Sequence, residues 1–439
     1  MSTKIDFSNI RVEDEGSLLP RRGNINFVGA GVTATDDVLN NRTTVTIPGG
    51  GAGASGIFGI ADAAGVYTYY SSLGAAIAGA ALGQTIQLFT DYTETASVAV
   101  FMKNRVNINL NGHTYEYATA DVNATLSDGG IPATVTIFNG TLKRTGSSTP
   151  SNTTGVCLKV SNIFSNVTLQ GVTVIAEDGS NCCIVQNGKL SGGYYRQIGA
   201  TAGSNYSFQI SSTNSIVDNV NVHADTKPTK CDLGKISNSY FRCDGSYGIY
   251  LDNSVEAHNI TAYSTANYGI FVVTAKLFNS TGISTATVGI DANTPSELYN
   301  CSGYSTAGSG ISNLNYAMNC TGRSTVSFGL ATGSASETYN CTGWSSAAAA
   351  ISSKGRIVKT SAICTWNDAN GHGFSGVENN DEIVDCYAEV ANAAAYGVNA
   401  PTTSPYVTGF SGRGMTQLLN LLSNAQSNTE DNFGNILIG

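Results

Sequence analysis

The sequence predicts an all-β chain folded as a parallel β-solenoid, with about 17 rungs of about 20 residues each. A short phrase beginning with Asn recurs, and its Asn residues stand 20, 21, 19 and 21 positions apart. A second phrase, in which Gly precedes a β-branched or aromatic residue, keeps the same period. The residues between the phrases are rich in Val, Ile, Thr and Tyr and lack the 3.6-residue periodicity of helices. These features predict short strands that stack on the equivalent strands of the next rung.

The first phrase predicts a ladder of identical side chains along the solenoid. Its members are Asn259, Asn279, Asn300, Asn319 and Asn340. Asn tolerates the left-handed backbone conformation, and stacked amides can hydrogen-bond to one another, so we expect this column at a bend. Side chains alternate between the two faces of a strand, which places Cys301, Gly303 and Ser305 on one face and Ser302, Tyr304 and Thr306 on the other.

Half of the ten cysteines follow the same period and predict a column of small buried thiols. The predicted column contains Cys301, Cys320 and Cys341, continued by Cys364 and Cys386. A disulfide could bridge rungs that are about 4.8 Å apart. We expect reduced thiols instead, because the N-terminus lacks a signal peptide and indicates synthesis in a cytoplasm. No CxxC or HExxH motif occurs, so the sequence predicts no metal site and no cofactor.

The residues before the repeats predict a cap and two bent strand pairs. Residues 69–82 predict a short amphipathic helix that turns at Gly83 into a strand, and a helix there would shield the edge of the first rung. Residues 106–115 and 135–142 each predict two strands joined at an Asn-Gly pair. This order of parts resembles the start of pectate-lyase-like (pectin lyase-like) β-helices. The resemblance covers residues 67–414 and implies a right-handed, single-stranded parallel β-helix.

The ends of the chain differ from the solenoid. Residues 22–47 alternate apolar and polar side chains, with turns at 29–31 and 36–41, and predict a small β-meander within residues 1–48. Such a segment is too small for a core of its own, so we expect it to oligomerise. Residues 49–66 predict a Gly-rich linker. Residues 415–439 predict a cap or trimerisation tail whose first part, 415–426, is a short helix.

Composition excludes several classes of function. Only 12% of the residues are charged, against about 25% in globular proteins, while 41% are hydrophobic. A formal net charge of −9, with no basic cluster beyond Arg21 and Arg22, argues against binding to nucleic acid. No run of 18 apolar residues occurs, so we expect no membrane insertion.

Two outward columns are the candidate ligand sites. The first contains Tyr263, Ile283, Tyr304, Arg323 and Trp344. Aromatic and Arg side chains repeated on every rung can stack on sugar rings, and they can equally form the contact between subunits of a trimer. The second column has the same two interpretations and contains Tyr247, Tyr268, Phe328, His372 and Tyr396.

A glycan-cleaving enzyme would need paired carboxyl groups about 5 to 9.5 Å apart. The densest acidic patch supplies the candidates Asp368, Glu378, Asp381 and Glu382, beside His372. His372 takes the place that Tyr247 and Tyr268 hold in other rungs, so its repeat position already accounts for it. No spacing among these residues is diagnostic of catalysis, and the sequence favours a protein without enzymatic activity.

The N-terminal segment and the linker resemble a segment of tailed-bacteriophage tail fibres, tailspikes and baseplate-associated proteins. The resemblance implies a homotrimeric virion protein that attaches through its N-terminus to a tail or baseplate protein. We therefore expect a fibre or spike that projects from the particle and recognises a host surface polysaccharide. A tailspike depolymerase that cleaves capsular or lipopolysaccharide glycan, and a decoration protein without a ligand, stay open as alternatives, since one fold serves all three.

Overall fold

A computed structural model divides the chain into two compact units, Met1–Gly56 and Ile57–Gly439. The structure describes residues 13–14, 17–18, 33–37, 42–46, 56–97, 99–118, 124–145, 156–177, 180–199, 206–293, 295–400, 402–403, 405–415, 417–421, 426–430 and 436–437.

The first unit contains two antiparallel strand pairs among its described residues. The strands are β1 (Glu13–Asp14), β2 (Ser17–Leu18), β3 (Thr33–Asp37) and β4 (Arg42–Thr46). Thr33 lies opposite Thr46 and Asp37 opposite Arg42, in agreement with the predicted turn between them. The earlier strand and turn of the predicted meander lie outside the described residues.

The second unit opens with an antiparallel strand and the predicted cap. Its first elements are β5 (Phe58–Ala61), β6 (Tyr67–Tyr70), α1 (Leu73–Gly79), β7 (Thr85–Leu88), β8 (Tyr92–Glu94), β9 (Asn107–Asn109) and β10 (Thr114–Ala118). The Ser72 hydroxyl accepts a hydrogen bond from the Ala75 N–H at the start of α1, which buries Leu73 and Ile77. Strand β5 pairs with β6 and β7, so residues 58–66, predicted as linker, belong to the solenoid unit.

Long strands that bend at a corner form the next part of the solenoid. They and their neighbours are β11 (Leu126–Ser127), β12 (Thr134–Thr145), β13 (Val156–Val160), β14 (Asn166–Ala176), β15 (Asn181–Val185), β16 (Gly188–Gln197), β17 (Phe208–Asp218), β18 (Asn221–Ala224), β19 (Thr229–Ser237) and β20 (Tyr240–Cys243). Asn139 and Gly140, the predicted break in residues 135–142, both have positive φ within β12.

Short strands continue the solenoid to its end. They are β21 (Ile249–Leu251), β22 (Glu256–His258), β23 (Thr261–Ser264), β24 (Ile270–Val273), β25 (Lys276–Phe278), β26 (Thr281–Ser284), β27 (Ile290–Asn293), β28 (Glu297–Tyr299), β29 (Ser302–Ser305), β30 (Ile311–Met318), β31 (Thr321–Ser324), β32 (Leu330–Tyr339), β33 (Thr342–Ser345), β34 (Ile351–Ser352), β35 (Arg356–Val358), β36 (Ser361–Cys364), β37 (Phe374–Ser375), β38 (Glu382–Val384), β39 (Tyr387–Val390), β40 (Tyr396–Ala400), β41 (Tyr406–Arg413), β42 (Gln417–Leu421), β43 (Gln426–Glu430) and β44 (Ile436–Leu437).

Each regular turn contributes one strand to each of three parallel sheets, which we name by the strands β21, β22 and β23. The first sheet stacks β21 on β24, the second β22 on β25, and the third β23 on β26. The right-handed parallel β-solenoid predicted from the sequence is confirmed, with about 15 turns of about 21 residues. The expected 17 rungs were too many because some turns are longer: Thr134 pairs with Asn166, 166 − 134 = 32 positions away.

The interior of the third sheet is thin because four successive turns place Gly there. A Cβ atom added to Gly322 would overlap the carbonyl oxygen of Gly329, which lies at the start of the first sheet in the same turn. The equivalent positions of the neighbouring turns are Gly282, Gly303 and Gly343. These glycines allow backbone to pack against backbone. They thereby fix the position of the outward side chains beside them.

The prediction of a helix over residues 415–426 is wrong for residues 417–421, which the structure describes as a strand. Strand β42 pairs in parallel with β40, and β43 pairs with β41, so the solenoid continues past residue 414. The preceding turn offers an open row of backbone hydrogen-bonding groups, and pairing with that row outweighs the helix propensity of a Leu-rich segment.

No helix in the described part of the chain has both the length and the apolar character needed to span a membrane.

Candidate functional site

The Asn column lies at the corner between the second and third sheets. All five residues have φ between 49° and 56°, a left-handed conformation that Asn adopts more readily than most residues. The amides of Asn300, Asn319 and Asn340 each donate to the preceding Asn of the column, Asn340 to Asn319 at 2.8 Å and both others at 3.0 Å. The side chains are exposed, and each carboxamide keeps hydrogen-bonding capacity for solvent or a ligand.

The cysteines inside this corner satisfy the backbone. The Cys341 thiol donates to the Tyr339 carbonyl oxygen at 3.2 Å, and its sulfur accepts from the Cys320 N–H at 3.3 Å. Burial raises the pKa of the Cys386 thiol to about 12. All ten cysteines are buried and unpaired. We assign the column a structural role, because Ser280 and Thr360 make the same kind of contact in other turns.

Cys364 does not belong to this column, contrary to the prediction. It lies in register with Ser345, at the far end of the third sheet, and Thr360 takes the place in the column before Cys386. Ser345 donates to the Ser327 carbonyl oxygen at 2.6 Å, and the Cys364 thiol makes the corresponding bond to Ala348 at 3.0 Å. A thiol can replace a hydroxyl at either internal position, so sequence spacing alone misassigned it.

The first outward column is continuous in the structure. Strand register aligns Tyr263, Ile283, Tyr304, Arg323 and Trp344 on the outer side of the third sheet. Arg323 is exposed and the other four side chains are half-buried. A second row lies beside it on the same strands and consists of hydroxyl residues: Thr261, Thr281, Ser302, Thr321 and Thr342. We call the outer side of these five strands, together with the Asn corner, the neutral face.

The aromatic rings of the first column each stack on an arginine in a neighbouring turn. The Arg323 guanidinium carbon lies 4.3 Å from the centre of the Trp344 ring and 5.9 Å from that of Tyr304. Arg242 stacks in the same way on Tyr263, at 5.3 Å. These contacts occupy one ring face of each aromatic residue. The hydroxyls, amides and guanidinium edge therefore supply most of the binding capacity of the neutral face.

The neutral face carries a single charged residue. Across its five strands and the turns that follow them, residues 259–270, 279–290, 300–311, 319–330 and 340–351, Arg323 is the one charged residue. The third sheet is charged on both sides of this region. Arg242 pairs with Asp244 at 2.9 Å before it, and Arg413 pairs with Glu389 at 2.7 Å after it.

A shallow groove runs beside the Asn corner at the beginning of the neutral face. Its lining includes Asn219, Asn221, Asn238, Tyr240, Asn259 and Thr261. Amide and hydroxyl groups dominate this lining. The groove therefore extends the uncharged hydrogen-bonding surface by two turns towards the N-terminus.

The second outward column lies at the turn before the first sheet. Tyr247 stacks on Tyr268 with ring centres 5.6 Å apart, and on Phe271 at 5.2 Å. Phe328 is half-buried farther along. Sequence reasoning missed the wider cluster, in which Tyr250 stacks on Phe271 and Lys230 lies over Tyr250. The outward positions of β21 and β24 carry these rings, so the period-2 alternation of each strand is the signal for them.

Each candidate catalytic residue has a structural partner. Asp381 is buried and accepts hydrogen bonds from the Gly355 and Glu378 N–H groups, while burial raises the pKa of its carboxyl group. Glu378 pairs with Lys354 at 2.7 Å and Glu382 with Arg356 at 2.8 Å.

Asp368 and His372 are also engaged locally. Asp368 accepts hydrogen bonds from the backbone and side chain of Asn370. The Nδ1 atom of buried His372 accepts a hydrogen bond from the Tyr396 N–H at 3.1 Å, and burial lowers the pKa of the imidazole. The five candidates thus contribute to loop and rung structure.

Ligand atoms of His223, Asp225 and Asp244 lie within 4.8 Å of one another. Both carboxylates are already paired with arginine, Asp225 with Arg196 at 2.6 Å and Asp244 with Arg242 at 2.9 Å. The arginines balance the carboxylates, so the cluster is a charge network at the edge of the neutral face.

The second sheet carries a ladder of ion pairs that sequence reasoning missed. Lys235 pairs with Glu256 at 2.7 Å, and Lys276 pairs with Glu297 at 3.0 Å. Their spacings of 256 − 235 = 21, 276 − 256 = 20 and 297 − 276 = 21 residues match the repeat and would have revealed the ladder.

No protein-family model matches the sequence, and no curated protein matches it. Among solved structures, that of PfbA, a surface adhesin of Streptococcus pneumoniae, aligns with 83% of this chain and 90% of its own. The sequence identity is 13% and the TM-score is 0.24. A superposition this loose carries no argument from that adhesin to this chain.

Proposed function

We propose that this chain is a projecting structural protein that binds a polysaccharide along the neutral face. The observation that carries the proposal is the row structure of that face: carboxamides, hydroxyls, and an aromatic row with Arg323, repeated over five turns with a single charge. Sugars offer many hydroxyl groups and little charge. A surface rich in neutral donors and acceptors, with ring edges beside them, matches that chemistry.

The regular spacing of the face supports a polymer as the ligand. Equivalent groups recur about every 4.8 Å along the solenoid axis. A chain of sugars lying along the axis would meet the same donors and acceptors at each turn. Many weak hydrogen bonds then act together, as multivalent binding requires.

The competing interpretation, that the face forms the trimer contact, conflicts with Arg323. If the face lay on a three-fold axis, symmetry would bring three copies of Arg323 together at one height. Among the described residues no carboxylate pairs with Arg323. Burying three unpaired like charges would be costly. We therefore place the homotrimer contact on another side of the solenoid.

The proposed setting is a tailed-phage virion. The resemblance of the N-terminal segment to tail-fibre and tailspike proteins supports attachment through residues 1–48 to a tail or baseplate protein, with the solenoid directed towards a host glycan. For the depolymerase alternative, the partners of the acidic candidates give no support. The decoration alternative predicts that no glycan binds.

The test is binding of the purified full chain to capsular and lipopolysaccharide glycans from a panel of bacteria, by biolayer interferometry. The Thr321→Glu/Thr342→Glu variant introduces two like charges on the neutral face, and we expect it to weaken binding at least about tenfold. The control, Arg356→Gln/Glu382→Gln, removes an ion pair from the second sheet and should bind like the parent. Size-exclusion of the glycan should show unchanged length, and shortening would favour the depolymerase. The proposal is contradicted if no glycan binds, or if the Thr321→Glu/Thr342→Glu variant binds glycan as tightly as the control variant does.

A further inference from the structure

Arg323 places its exposed guanidinium group beside two aromatic rings. The group lies between the Trp344 ring, 4.3 Å away, and the Tyr304 ring, 5.9 Å away, in the turns on either side. Strand register brings the three residues together, since Arg323 is aligned with Tyr304 in β29 and with Trp344 in β33. A guanidinium group that contacts rings through its faces keeps the N–H donors along its edge available for an anion.

That edge has no partner in the described part of the chain. The two other surface arginines that stack on a ring both have one: Arg242 pairs with Asp244 at 2.9 Å, and Arg356 pairs with Glu382 at 2.8 Å. Arg323 is exposed, and no described carboxylate lies within ion-pair distance of it. The five N–H donors of its planar fork are thus unused among the described residues.

The residues around Arg323 allow its positive charge to attract an anion. No acidic residue occurs in residues 300–311, 319–330 or 340–351, which contain the strand of Arg323, the third-sheet strands on either side of it and the bends that follow these strands. An approaching anion therefore meets an attractive charge with no nearby repulsion, although the chain as a whole has a net charge of −9. A planar guanidinium pairs best with a carboxylate or sulfate through two parallel hydrogen bonds.

We propose that Arg323 binds the anionic group, a carboxylate or a sulfate, of an acidic polysaccharide, while the flanking hydroxyls and amides bind its neutral sugars. This inference rests on the proposed function and narrows its ligand to polymers with acidic repeat units. One charged contact per chain then fixes the register of the polymer on an otherwise repetitive face.

The experiment compares four polymers on the full-length chain by biolayer interferometry: hyaluronan and polygalacturonate for carboxylate, dextran sulfate for sulfate, and dextran as the neutral polymer. We expect at least one acidic polymer to bind about tenfold or more tightly than dextran, with affinity falling as salt is raised. Arg323→Gln should abolish that preference. Arg323→Lys should retain part of it, because the charge stays and the planar fork is lost.

Arg356→Gln is the matched control. Arg356 is also exposed and lies over a ring, 5.7 Å from the centre of Tyr339, but it pairs with Glu382. The Arg356→Gln variant should bind the acidic polymers as tightly as the parent chain does. Equal losses in Arg323→Gln and Arg356→Gln, or binding of dextran as tight as that of the acidic polymers, would overturn the inference.

The two proposals fail in different ways. If a neutral glycan binds, and Thr321→Glu/Thr342→Glu weakens that binding while Arg323→Gln does not, only the acidic anchor is refuted. If none of these four polymers and no bacterial glycan of the panel binds, both proposals are refuted.

Discussion

The outer surfaces of the second and third sheets belong to the same turns but use their side chains in opposite ways. On the second sheet, lysine and glutamate alternate and pair, as in Lys276 with Glu297 at 3.0 Å. A stack of rings runs beside them, with His258 and Phe278 4.5 Å apart and Phe278 and Tyr299 5.0 Å apart. On the neutral face, hydroxyls and amides keep spare capacity and Arg323 has no described acidic partner.

On the second sheet the charged side chains find their partners within the chain, whereas on the neutral face many polar groups have no partner among the described residues. Charges that neutralise one another between turns leave little for a ligand, whereas unpaired donors retain their hydrogen-bonding capacity for a partner. Both sheets share one interior and one repeat, so the contrast resides in the outward side chains alone. The same backbone therefore supports stability on one side and recognition on the other.

The largest expected effect tests how the neutral face is held in place. Gly322→Ala would force a Cβ atom against the Gly329 carbonyl oxygen, and we expect a loss of about 3 kcal/mol in the free energy of unfolding. Gly74→Ala in α1 is the control, because a Cβ atom there meets nothing within 4 Å and should stabilise the helix slightly. Urea unfolding followed by circular dichroism measures both. Equal stability of the two variants would show that the Gly pairing is dispensable.

The Asn corner is the next test, because it borders the neutral face. Asn319 has φ 56°, donates to Asn300 at 3.0 Å and accepts from Asn340 at 2.8 Å. Asn319→Ala should cost about 2 kcal/mol, since it loses the ladder bonds and strains the backbone. Asn319→Gly relieves the strain and should cost about half as much. If both variants lose the same free energy by urea unfolding, the backbone conformation contributes nothing.

Most of this architecture could be predicted from the sequence, because the same residue types recur at the corners at intervals of 19 to 21 residues. The left-handed corner holds Asn in the regular turns from Asn259 to Asn340, and the third sheet holds Gly in four of them, so both columns are visible as spacing. Cys364 was misplaced because Ser, Thr and Cys serve equally at two internal positions. The Leu-rich residues 417–421 were misassigned to a helix because their strand pairing depends on the preceding turn, which no local pattern encodes.

The candidate site was less predictable than the fold. The alternation of side chains between the two faces of β29, β31 and β33 identified the outward column. Only the structure shows that Arg323 stacks between two rings and has no acidic partner among the described residues. Ion pairing between turns depends on side-chain rotamers as well as on register. For the same reason the acidic candidates, each paired locally, could not be distinguished from a catalytic pair by spacing.

A pH-dependent test addresses His372, which the sequence placed among the catalytic candidates. Burial lowers the pKa of its imidazole, whose Nδ1 accepts the Tyr396 N–H. The unfolded chain then binds the proton more readily, so the contribution of His372 to stability is present above pH 6.5, the ordinary pKa of histidine, and is lost as the pH falls below that value.

We expect the melting temperature to fall between pH 7.5 and 5, with a loss of about 1 kcal/mol that reflects this hydrogen bond. His372→Asn keeps an acceptor without a titrating ring and should flatten that part of the pH profile. An unchanged slope in the variant would assign the pH dependence to other groups.

The smallest expected effect returns to the charged second sheet. Lys276 lowers the pKa of the Glu297 carboxyl group through their hydrogen bond, so the pair stabilises the fold above pH 4.5, the ordinary pKa of glutamate, and loses that contribution at lower pH. Both side chains are partly exposed to solvent, which screens the pair, and a double-mutant cycle with Lys276→Gln and Glu297→Gln should give a coupling of about 0.5 kcal/mol. Polysaccharide binding should be the same in all four proteins. Weakened polysaccharide binding in either single variant would place the ligand on the second sheet and reverse the contrast between the two sheets. An ion pair whose two charges neutralise each other within the chain should contribute nothing to ligand binding.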